Sequence, residues 1–262
     1  MEKYLTKFLC SQAGHVEDES EELRQFKAKK SIHNLHMFFF HTFCTIGHWY
    51  VINGKPWQPW FMGGTGNFAD GFKNMPFTPM DTEGYYFGLI LLGHPIQLIV
   101  THFFINEREP DFAEMAMHHL AHFSIASSYI FTNIIPIGAM IAFVHDQSDV
   151  AGCLAKFFHN MGYKLPAGIS LITCEILWLV GRLICLPLLM MELNDIKFGP
   201  GREHMQIYFA FSQTFVGSLL LLHIYWFAMF MKMNYKLVTG SKVKDEQADF
   251  SKMVKSSSDE KD

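Results

Sequence analysis

Two adjacent histidines, His118 and His119, precede a His145-Asp146 pair in the next apolar stretch, and Asp149 follows three positions later. An imidazole serves as base or nucleophile near neutral pH, and a carboxylate beside it fixes its tautomer and stabilises the imidazolium form. Together these groups supply what an acyl transfer needs. Asp146 and Asp149 fall on nearly one helical face. Thr132, Asn133 and Ile134 mark a turn between the stretches, with His118 about fourteen residues before it and His145 about twelve after. At 1.5 Å per residue both stand roughly 20 Å from the turn. A helical hairpin therefore predicts His118, His119, His145 and Asp146 in one layer.

The elements that must hold this layer are apolar. The chain has 262 residues, of which 50% are hydrophobic and only 18% charged, with 26 Phe, 16 Met and a net charge of -4. That balance excludes disordered, collagen-like and nucleic-acid-binding classes. Six stretches read as helices that cross, or nearly cross, a bilayer: Ile32 to Ile52, Gly84 to Ile105, Phe112 to Thr132, Ile134 to Val144 with an amphipathic continuation, Ala167 to Met191 and Met205 to Met231. The expected fold class is all-α, a polytopic membrane bundle. Residues 1–30 form a polar N-terminal segment, 31–238 the membrane domain and 239–262 an acidic, Ser-containing tail in which Ser256, Ser257 and Ser258 precede acidic residues. The first twenty or so residues fit neither a signal peptide nor a transit peptide. The Gly- and Pro-rich stretch around Trp57, Trp60 and Phe61 predicts a loop at the membrane interface.

Basic residues set the orientation. Lys27, Lys29, Lys30, Arg108, Lys156, Lys164, Lys232, Lys236, Lys242 and Lys244 fall on one side of six spans, against Lys55, Lys73, Lys197 and Arg202 on the other, which places both termini in the cytoplasm or, for a mitochondrial or other organelle membrane, the equivalent compartment. Five cysteines without a C-x-x-C pair read as free thiols.

Fourteen histidines are many, and His36, His41, His48, His94, His102, His122 and His223 also fall within spans. Ionisable groups at membrane depth mark function by default, although a lone His such as His94 or His223 is more often a satisfied structural residue. A di-iron centre is a competing reading, since His33 and His36 give H-x-x-H and His118, His119 and His122 give H-H-x-x-H, but two further boxes are missing. Haem held by His41 and another span lacks a C-x-x-C-H attachment motif. The preferred reading has no bound cofactor and no metal.

The segment EREPDFAEMAMHHLAHFSIASSYIFTNIIPIGAMIAFVHDQSDV resembles the Lag1 motif of ceramide synthases, within the TRAM-Lag1-CLN8 (TLC) membrane fold. Asp111, Phe112, Glu114, His118, His119, Asn133, Gly138, His145, Asp146, Asp149 and Lys156 carry the match. Lys55-Pro56-Trp57, Tyr85 and Tyr86, Arg182 with Pro187, and the last span from Leu221 to Gly240 are also similar to the family. Three positions depart from its pattern: His122 stands where the family has Thr, Pro136 where it usually has Arg, and Cys153 where it usually has Glu.

The resemblance implies N-acylation of a sphingoid base by acyl-CoA, with acyl-CoA as co-substrate, in the endoplasmic reticulum membrane. His118 would take the acyl group or activate the amine, His119 and His145 would move protons, and Asp146 and Asp149 would orient imidazoles. Lys156, Arg108 and Lys164 are the expected contacts for CoA phosphates at the cytoplasmic mouth. Expected partners are membrane lipids, the two substrates and either a second copy or other membrane subunits contacting the tails. The rival expectation is a catalytically silent TLC-fold subunit that binds lipid within a larger assembly.

Overall fold

The computed structural model describes residues 21–72, 82–105, 111–196 and 203–239. Among them the regular structure is helical throughout: α1 (Glu21–Ile52), α2 (Thr82–Phe104), α3 (Phe112–Phe131), α4 (Ile135–Asn160), α5 (Lys164–Trp178), α6 (Leu186–Asn194) and α7 (Glu203–Val238). A π-helical turn, Leu179–Cys185, joins α5 to α6 without a break, so the seven helices make six rods. The six expected spans correspond to these rods, and α1 starts at Glu21, inside the segment read as polar. Three rods are both long and apolar enough to cross a membrane on composition alone, Thr82–Phe104, Lys164–Asn194 and Met205–Lys236, with mean hydropathies of 1.6, 2.0 and 1.7. Helices α1, α3 and α4 reach about 30 Å or more at 1.5 Å per residue. Their hydropathy is lowered by the charged residues and histidines they carry.

Helix α4 is the centre of the bundle. Its buried residues, Ile137, Met140, Ile141, Val144, Ser148, Ala151 and Ala155, recur every three or four positions and so form one stripe. It packs most fully along α1 and next along α5, and only lightly against α3. The α3–α4 hairpin does turn where the sequence predicts it, with Asn133 in the left-handed region at φ 56°. The two arms touch only lightly, and the larger contact on α4 is made by α1. Ala28 near the start of α1 packs with Met161 just past α4, which makes the pair antiparallel. That contact also puts Lys27, Lys29 and Lys30 at the same end as Lys156 and Lys164, in accord with the expected charge bias.

In a bilayer, apolar helices gain little from leaving lipid for one another, so close approach and dispersion hold the bundle together. Gly181 shows how close. A Cβ built there would lie 2.6 Å from the carbonyl oxygen of Val144 on α4. Gly181→Ala is expected to push the π-helical turn off α4 and cost about 1–3 kcal/mol, the range for overpacking a filled core. Thermal unfolding in detergent micelles, with Gly93→Ala as a control facing open space, measures it.

The loop after α1 differs from expectation. Trp57 is 8% exposed and Trp60 72%, so Trp60 can meet an interface while Trp57 plugs the end of the bundle with Met62, Phe68 and Phe72. The reason is Gln58. Its Oε1 accepts from the Gly54 N–H (2.9 Å), its Nε2–H donates to the Met62 carbonyl (2.8 Å) and its own carbonyl accepts from the Gly66 N–H (2.9 Å). These bonds wind the loop inward and carry Trp57 with it. Of the cysteines, Cys44, Cys153, Cys174 and Cys185 are free thiols; Cys10, Lys73, Arg108, Lys197, Arg202, Lys242, Lys244 and the Ser-containing tail lie outside the described residues.

Candidate functional site

Asp146 faces α1. Its Oδ1 accepts from His41 Nδ1–H at 2.9 Å and its Oδ2 from His48 Nδ1–H at 3.0 Å. The carboxylate therefore fixes both imidazoles in one tautomeric sense. His41 and His48 are seven residues apart, two helical turns, and so share a face of α1. All three side chains are largely enclosed, with 12%, 8% and 13% of their surfaces exposed for His41, His48 and Asp146. The pairing of α1 with α4 decides this arrangement: the hydrogen bonds of Asp146 go to histidines other than His118, His119 and His145.

Asp149, one turn on, meets Arg182. The guanidinium Nη2 bonds Asp149 Oδ1 and also the backbone carbonyl of His145 (2.9 Å), and its carbon stands 3.8 Å from the Trp178 ring. Arg182 is 2% exposed. A full charge at this depth requires such partners. The π-helical turn delivers them: the Leu186 N–H reaches back five residues to the Gly181 carbonyl, and Pro187, which has no N–H, follows immediately.

His145 bonds in the other direction. Its Nδ1–H donates to the Ile141 carbonyl at 2.6 Å, which leaves Nε2 as the acceptor for His223 Nε2–H on α7 at 2.8 Å. His223 is fully buried, its backbone carbonyl accepts from Trp178 Nε1–H (3.2 Å), and its Nδ1 has no hydrogen-bond partner. A two-imidazole relay thus runs from α4 to α7.

His118 and His119 sit beside one another on α3, their rings 5.5 Å apart. His118 lies between His122 (6.2 Å) and Trp226 of α7 (5.5 Å), and His119 lies edge-on to His102 of α2 (5.1 Å). The buried Nδ1 atoms of both are without a partner. An enclosed neutral imidazole with an uncommitted nitrogen has the form a nucleophile or base requires. The predicted residues thus make separate contacts: Asp146 with His41 and His48, Asp149 with Arg182, His145 with His223, and His118 beside His119, His122 and Trp226. Lys156 and Lys164 flank the α4–α5 turn and are exposed.

Sequence reasoning passed over His41, His48 and His223 as site residues and noted Arg182 only through a family pattern. Signals were present: a two-turn spacing for the first pair, and for Arg182 a lone charge inside an otherwise apolar span.

Fold and site together define an integral membrane protein, a helical bundle with a His- and Asp-lined interior. The sequence model of the TLC domain matches residues 30–232, and the chain belongs to that family. Among curated proteins it is similar to ceramide synthase hyl-1 of Caenorhabditis elegans, 24% identical over 247 residues that cover 85% of this chain and 61% of that one. It is 27% identical over 211 residues to ceramide synthase 5 of Homo sapiens, covering 78% and 50%. Ceramide synthase LOH2 of Arabidopsis thaliana is 32% identical over 136 residues, 50% of this chain and 46% of the relative. The chain spans less than two thirds of the length of these relatives.

Proposed function

We propose that this protein transfers an acyl group from acyl-CoA to the amine of a sphingoid base in the endoplasmic reticulum membrane. The observation that carries the reading is the His118–His119 pair, enclosed on α3 with both Nδ1 atoms unpartnered, in a TLC domain whose relatives are named ceramide synthases. His118 attacks the thioester carbonyl; the C–S bond breaks, an acyl–imidazole bond forms and CoA leaves as thiolate. The amine then attacks the acyl carbon, the C–N(imidazole) bond breaks, and His119 takes the proton the nitrogen loses. The His145–His223 relay passes protons along α4 and α7. Asp146 and Asp149 act by position, the first on His41 and His48, the second on Arg182. An acyl chain lying between apolar helices leaves CoA at the cytoplasmic mouth, where Lys156 and Lys164 meet its phosphates.

A second reading rests on the departures from the family pattern at His122, Pro136 and Cys153, which suit a lipid-binding subunit without turnover. The test is direct. Purified protein in lipid nanodiscs is given a series of acyl-CoA lengths with a sphingoid base, and N-acyl product is measured by mass spectrometry. Turnover with a chain-length optimum is expected; none from helical protein at any length, with copurifying subunits retained, favours the silent subunit.

A further inference from the structure

We propose that His41, Asp146 and Asp149 hold a divalent first-row transition-metal ion, with the imidazoles of His94 and His122 as its surroundings. One donor atom from each of His41, Asp146 and Asp149 lies within 4.8 Å of the other two. Ligand atoms around one such ion, bound at about 2.0–2.2 Å, are separated by roughly 3–4.4 Å, so closure needs shifts of only a few tenths of an ångström. His41 Nδ1 and Asp146 Oδ1, 2.9 Å apart, already have the spacing of neighbouring ligands.

Charge argues the same way. Asp146 and Asp149 bring two carboxylates into the bundle, and Arg182 offsets one. Asp146 is met by the His41 and His48 imidazoles, and a divalent ion in place of the proton on His41 Nδ1 supplies a full counter-charge there; a carboxylate has a second oxygen, so Arg182 on Asp149 Oδ1 is compatible with a metal on the other. His48 on Asp146 Oδ2 is then the outer partner that orients a ligating carboxylate.

The surrounding imidazoles complete the case. His94 of α2 closes the ring, 6.1 Å from His41 and 6.5 Å from His122 between ring centres. His41, His94 and His122 thus form a run of imidazoles from three helices beside the cluster, and His122 is an imidazole where the family pattern has Thr. A mixed nitrogen and oxygen set suits zinc, iron, cobalt or manganese better than calcium or magnesium, which prefer oxygen alone, or copper(I), which prefers sulfur. The expectation of no resident metal came from the lack of boxed histidines along the chain. Here the ligands come from separate helices, which no linear spacing displays.

The experiment uses the full chain, purified through a tag without histidine into nanodiscs. Metal content is measured by mass spectrometry before any chelator, and Co²⁺ is titrated after chelation, followed by its visible absorption. About one metal per chain and a saturable Co²⁺ site displaced by Zn²⁺ are expected. His41→Ala removes the site, and His41→Gln, which keeps an N–H toward Asp146 and guards the fold, removes it too. His122→Thr weakens it by roughly 10–100-fold, the usual effect of disturbing a metal's surroundings, while His36→Ala, on an exposed residue, leaves it intact. Absence of saturable uptake by helical wild type overturns the proposal. Uptake equal to wild type in both His41 variants does so as well, because it then belongs to exposed histidines.

Discussion

Arg182→Met is expected to destabilise the bundle by about 3 kcal/mol, the low end of the 3–5 kcal/mol typical of breaking a buried ion pair from one side. Methionine keeps most of the volume and is apolar, so the loss is electrostatic. Asp149 loses its counter-charge, the His145 carbonyl loses a donor and Trp178 loses the cation over its face. The low end applies because the Asp149 side chain is 35% exposed and can recover some solvation. Arg182→Lys loses part of this stability, since a single ammonium cannot span the carboxylate and the carbonyl with the geometry of a guanidinium. The double variant Arg182→Met/Asp149→Leu recovers much of it by removing the orphaned charge. Unfolding in mixed micelles, followed by tryptophan fluorescence, gives all three values. A wild-type midpoint for Arg182→Met would mean that the ion pair does not hold the π-helical turn to α4.

The helices were legible because lipid imposes a simple rule: backbone groups must bond within the segment, so apolar stretches of the right length become rods. Even the hairpin turn at Asn133 could be placed. What could not be read was which rods touch. The expected layer assumed that sequence neighbours α3 and α4 stay in contact, and on that assumption Asp146 should meet His118 and His119. Helix α1 makes the larger contact with α4, and Asp146 bonds His41 and His48, about a hundred residues away in sequence. Close approaches such as Gly181 of the π-helical turn on Val144 of α4, and Gly47 of α1 on Phe87 of α2, are of the same kind, because their meaning appears only once the partner helix is known. Trp57 is a similar case. Its aromatic type suggested an interface, whereas the hydrogen bonds of Gln58 set its depth.

His118→Ala is expected to lower N-acyl transfer by about 10³-fold or more while leaving helicity and unfolding near wild type, because removing a nucleophile forfeits the covalent route altogether. The structural side is favourable: His118 Nδ1 makes no hydrogen bond whose loss would orphan a partner. His119→Ala, which removes a proton acceptor but keeps the nucleophile, is expected to cost about 10²-fold. The two are separable by a half-reaction. With acyl-CoA and no sphingoid base, wild type and His119→Ala gain the mass of one acyl group, and His118→Ala does not. His223→Phe tests the His145–His223 pair, since a phenyl ring cannot donate to His145 Nε2. Its acyl-enzyme forms but turns over more slowly, as expected if the relay serves proton transfer to and from the leaving and attacking groups. An acylated His118→Ala protein would move the nucleophile to another residue, with His119 next, because its Nδ1 is equally uncommitted.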